Sequence, residues 1–140
     1  MNPIAKNTLA VVAGIFIGGV VNMALVNIGP MIVPLPEGVD VTTPEGLKEG
    51  MQHFRPINFL FPFLAHALGT LVGAFIAARN AASHPMKLAL GIGAFFLIGG
   101  IMMVKMAGGP LWFIVGDLGL AYLPMGYLGG FLAAKKKSDA

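Results

Sequence analysis

Cysteine is absent from this chain, and charge is scarce: nine Lys and Arg and six Asp and Glu in 140 residues. The first absence removes disulfides, thiolate metal sites and thiol nucleophiles. The second, with 56% hydrophobic residues and a mean hydropathy of +0.82, places the chain outside the composition of soluble domains. Also missing are a nucleophile beside a base, a phosphate-binding loop and a pair of neighbouring carboxylates. The sequence therefore points away from an enzyme and calls for no cofactor. A net charge of +3 gives no reason to expect nucleic acid.

Alternation of apolar and polar residues is lacking too, which excludes a membrane β-barrel. What the chain has instead is continuous apolar runs, each long enough for the roughly 20 helical residues that cross a bilayer. They are Leu9–Ile28, Ile57–Ala78, Met86–Val104 and Leu111–Ala134. The expected fold is an all-α, four-transmembrane-helix bundle forming a single membrane domain over residues 1–140, with the lipid bilayer as its first partner. The first run is long for a secretory signal and lacks a small-x-small cleavage pattern, so it reads as an uncleaved helix.

Cationic residues sort by loop. Lys6, Arg79, Lys87 and the basic tail 135–140 fall on one side; Lys48, Arg55 and Lys105 fall on the other with Glu37, Asp40, Glu45 and Glu49. The positive-inside rule makes both termini cytoplasmic, with a bacterial inner membrane as the expected location. The one long connection, 29–56, then lies outside. Within it, Thr43 as N-cap and Pro44 at the first helical position predict a short amphipathic helix. Leu47, Met51 and Phe54 share its apolar face, which caps the bundle or lies on the membrane surface.

Similar words recur in alternate runs: LVGAFIAAR (71–79) with YLGGFLAAK (127–135), and FIGGVV (16–21) with LIGGIM (97–102). They suggest a parallel repeat of two helical hairpins. The glycines are also spaced i, i+4: Gly14 and Gly18, Gly69 and Gly73, Gly126 and Gly130. Such stripes mark close helix contacts, within the chain or between copies of it. Pro62 and Pro124 interrupt their runs and are expected to kink them.

Few polar residues lie within the runs. On a helical wheel His66 and Asn22 share the faces of their glycine stripes, with Thr70 at the stripe's edge. Asp117 falls about opposite the stripe of Gly119, Gly126 and Gly130, unless Pro124 rotates the helix. A charged group near the bilayer centre costs on the order of 3 kcal/mol and usually marks a functional path, so Asp117 is the leading candidate for a titrating site. It could also cap a shortened helix beginning at Leu118. His66 has two readings: a structural hydrogen bond to a proline-freed carbonyl or to Asn22, or a proton relay should Asp117 reach it. His53 and His84 lie on opposite sides of His66, so no metal site is expected. Met102, Met103 and Met106 are thioethers that Cu(I) favours, but lipid-facing packing explains them.

Two functions follow as expectations. One is a homo-oligomeric transporter or channel with a polar pathway of Asp117, His66, Asn22 and Thr70. The other is a non-catalytic accessory subunit of a larger membrane complex, bound through its glycine stripes to other membrane subunits.

Overall fold

The computed structural model describes residues 1–140 and contains helices and turns only. Helix α1 spans Pro3–Ile32, the short α2 Pro44–Gly50, α3 Leu60–Asn80, α4 Pro85–Ala107, α5 Leu111–Leu120 and α6 Leu123–Ser138. Four stretches are long and apolar enough to cross a membrane: α1, α3 with the 3-10 turn Pro56–Phe59 before it, α4, and α5 with α6. Each extends beyond the span read from the sequence at one end or both. Pro3 opens α1 with the Asn2 side chain accepting from the Ile4 N–H at 2.8 Å. At the other extreme, the expected basic tail is helical through Ser138.

One end of the bundle carries both termini and the 81–84 link. There the Asn7 side chain accepts from the Ala82 N–H at 2.8 Å and donates to Ser83 Oγ at 3.0 Å. The other end, called here the loop end, carries the 33–59 connection and the turn at Gly108 and Gly109. Both glycines have positive φ, 73° and 128°, a backbone that a side chain would strain.

Helix α3 is central, packing most extensively along α1 and then along α6 and α4; α4 also packs along α6, while α1 and α4 barely meet. The small residues explain the close pairs. A Cβ added to Gly14 would lie 2.5 Å from the Gly73 carbonyl oxygen, and one added to Gly18 would lie 2.6 Å from that of Gly69. Gly69 and Gly73 approach α1 reciprocally, at 2.9 and 2.6 Å. Gly126 faces the Ala89 carbonyl of α4 at 3.1 Å, and Gly130 faces Met86 and Ala89. All six contacts lie within the chain. The hairpins share this device but differ in detail: Gly18 touches α3, whereas Gly99, its counterpart in the recurring words, has open space.

Pro62 and Pro124 both fall in the first turn of a helix, whereas Pro30 lies inside α1. Pro62 sits in the first turn of α3, where its missing N–H has no partner to lose, so the expected kink is not there. Pro124 has a larger effect. It cannot donate to the Leu120 carbonyl, and α5 ends at Leu120, leaving Ala121 and Tyr122 between two helices. The fourth span is thus broken.

Candidate functional site

The break brings two distant residues together. His66 Nδ1 lies 2.8 Å from Asp117 Oδ1 and 3.0 Å from Oδ2. Asp117 is only 4% exposed although it stands in an apolar span. It lies six residues into α5, about 10 Å below the loop end at 1.5 Å per residue. The helix runs through Asp117, whose carbonyl accepts from the Ala121 N–H at 2.9 Å; the expected N-cap role is corrected accordingly. His66 bonds neither a proline-freed carbonyl nor Asn22, because the carboxylate is within reach and is the stronger acceptor.

Tyr122 completes the cluster, and the sequence reading missed it. Five residues after Asp117, it would lie about 140° away around a continuous helix. Across the break it turns back instead: its hydroxyl donates to Asp117 Oδ2 at 3.3 Å and its ring stacks on His66 with centroids 5.7 Å apart. Gly100 of α4 makes the room, since a Cβ there would lie 2.6 Å from the Tyr122 hydroxyl. The signal was present in LAYLPMG, a tyrosine two residues before a proline in mid-span.

Above the pair lies a cavity of about 190 Å³ with His66 and Asp117 in its lining. Leu47, Met51 and Phe54 roof it, so the amphipathic segment caps the bundle. Thr43 sets this segment, its hydroxyl accepting from the Gly46 N–H at 3.0 Å. Two residues absent from the sequence reading hold the roof in place. Buried Asn58 donates to the Pro34 carbonyl at 3.0 Å and accepts from the Arg55 N–H at 2.9 Å. Phe59, 4% exposed, packs its ring against Phe54, Trp112 and Phe113 at centroid distances of 5.3, 5.3 and 4.7 Å.

Of the other expected pathway residues, Asn22 and Thr70 line a separate cavity on which His66 also borders. Asn22 packs over Gly69, and Thr70 is buried. Neither bonds the His66–Asp117 pair.

Chemically, the arrangement joins an acid and a base directly in a low-dielectric interior. As a charged pair or as neutral partners it carries no net charge, which lowers the cost of burying it. Removing either partner leaves the other stranded. Its neighbours are mostly apolar walls, and the cavity, at about 190 Å³, is smaller than the roughly 300–1,000 Å³ of pockets for drug-sized ligands. No protein family, no curated protein and no solved structure matches this chain.

Proposed function

We propose that this small multi-pass membrane protein is a transporter or channel whose traffic is linked to protons at the His66–Asp117 pair. The observation that carries the reading is a carboxylate buried in an apolar span, hydrogen-bonded to a histidine, at the base of a roofed cavity. Buried ionisable groups in membrane spans are expensive and serve ion or substrate paths far more often than packing. The capping segment Pro44–Phe54 is the gate in this proposal, since it separates the cavity from the loop-end solvent. The termini face the cytoplasm of a bacterial cell, and the chain works as a homo-oligomer.

The test is proton flux in proteoliposomes with an internal pH dye, at an imposed pH gradient. Asp117→Asn keeps the shape and a hydrogen bond but loses the proton, and His66→Ala removes the relay. Each is expected to lower flux at least tenfold. Flux unchanged in both variants would remove the pair from the pathway. Extraction of the native particle addresses the accessory-subunit reading, for other polypeptides in fixed ratio would replace transport with assembly as the function.

A further inference from the structure

The second cavity, about 180 Å³, lies beside the limited α1–α4 contact and is half-open, with exposed Gly99 and Met103 in its rim. His66, Gly100 and Met103 border both spaces, with Asp117 in the lining of the first and Asn22, Thr70 and Tyr122 in that of the second. Tyr122 and His66 Nδ1 are bonded to Asp117, but three other polar groups of this lining have unpaired atoms. Thr70 Oγ1, in a residue 1% exposed, has no hydrogen-bond partner, although a threonine in a helix can ordinarily bond the carbonyl four residues back. The Asn22 amide bonds no group of the chain, and of the imidazole nitrogens only Nδ1 is engaged. A buried hydroxyl left in this state carries its full desolvation cost with nothing to offset it. Empty cavities in proteins are apolar, whereas polar ones with two or more partners hold water, at about 10–15 Å³ of accessible space per molecule. This cavity meets both conditions and has room for several.

We propose that this cavity is a hydrated vestibule and that His66, the titratable residue of the shared wall, passes protons between it and Asp117. The inference rests on the proton-linked reading above. Hydronium in the vestibule gives a proton to Nε2 while the Nδ1 proton moves across the 2.8 Å bond to Asp117 Oδ1. The products are water, an imidazole protonated on Nε2, and a neutral carboxylic acid. Asp117 then loses its proton into the roofed cavity, and a half-turn of the ring presents an N–H to the carboxylate again. Asp117 of α5 and Tyr122 after it are the titratable groups facing His66. Helices α1, α3 and α4 and the capping segment add no charged group to either lining.

The test is solid-state NMR of the full chain in liposomes with labelled histidine and threonine, reading magnetisation transfer from water to the His66 ring and to Thr70. Wild type is expected to show transfer to both. Asn22→Leu with Thr70→Val removes the polar groups that hold water there, and is expected to reduce transfer to the ring at least fivefold and proton flux at least tenfold. Thr70→Ser, which keeps the hydroxyl, is expected to retain both. A wild-type ring and Thr70 that receive no transfer overturn the vestibule, whatever the flux. A wetted ring that exchanges tautomers in a protein with no proton flux upholds the vestibule and overturns the transport reading instead.

Discussion

The two ends of the bundle are built from different residues, and the difference decides where space is left. Toward the termini the fully buried positions are Ala74, Ala77, Ala78, Ala89, Ile92 and Ala133, interleaved with Gly14, Gly73 and Gly130. Backbones there approach until carbonyls meet Cα atoms. Toward the loop end buried Gly29 and Ala107 are joined by large rings that are buried or half-buried: Phe54, Phe59, Phe61 and Phe113. Large rings hold the helices apart, and the cavity opens between them. Lipid tails are as apolar as leucine, so helices gain little from hydrophobic association and much from close contact. One end therefore spends its length on contact and the other on a polar site with room around it.

Four substitutions would break or sharpen this contrast, beginning with the most damaging. Gly18→Leu drives a side chain into the Gly69 carbonyl and should cost more than about 4 kcal/mol. Gly19→Leu, which meets nothing within 4 Å, should stay within about 0.5 kcal/mol. Reversible unfolding in bicelles compares the two, and equal losses would mean that the α1–α3 contact is not what holds the terminal end. At the loop end, Phe59→Ala removes the hub of the aromatic cluster and should cost about 3 kcal/mol. It should also speed hydrogen exchange over 44–54; a roof that exchanges as before would show that it stands without Phe59. Asn7→Ala deletes the clasp to Ala82 and Ser83, for a loss of about 1 kcal/mol by the same unfolding assay.

The smallest effect concerns the exposed loop. The hydroxyl and then the N–H of Thr42 bond Asp40 and hold its carboxyl below the usual carboxylate value. A lowered acid supports the loop above its ordinary titration point, near about pH 3.9, and loses that support as pH falls through the lowered one. Thr42→Val should move the Asp40 midpoint upward in an NMR titration. A midpoint that stays put would assign the effect to something other than the hydroxyl.

The residues of the site were legible one by one but not as a site. Asp117 and His66 stand out because a polar group in an apolar run is conspicuous. Their contact was not readable, since an unbroken wheel turns Asp117 away from the glycine stripe. Pro124 was in plain view, yet how far a broken helix re-aims its residues depends on what packs against it, here α3 and α4. Tyr122, Asn58 and Phe59 went unread for a related reason. Their roles lie in partners at other heights and on other helices, and no local pattern records those.

Hydropathy is a local property that must be satisfied by the twenty-odd residues within each span, so the sequence alone determined the four helices. Charge between the spans and the cap signal Thr43–Pro44 are local too, and the short capping helix formed where they put it. Tertiary structure decided the rest: that the fourth span breaks at Ala121–Tyr122, that small residues close one end, and that a histidine on α3 meets an acid on α5 below a roofed cavity. Those outcomes depend on the relative rotation and depth of helices far apart in the chain, quantities set by packing between them and by no single stretch of sequence.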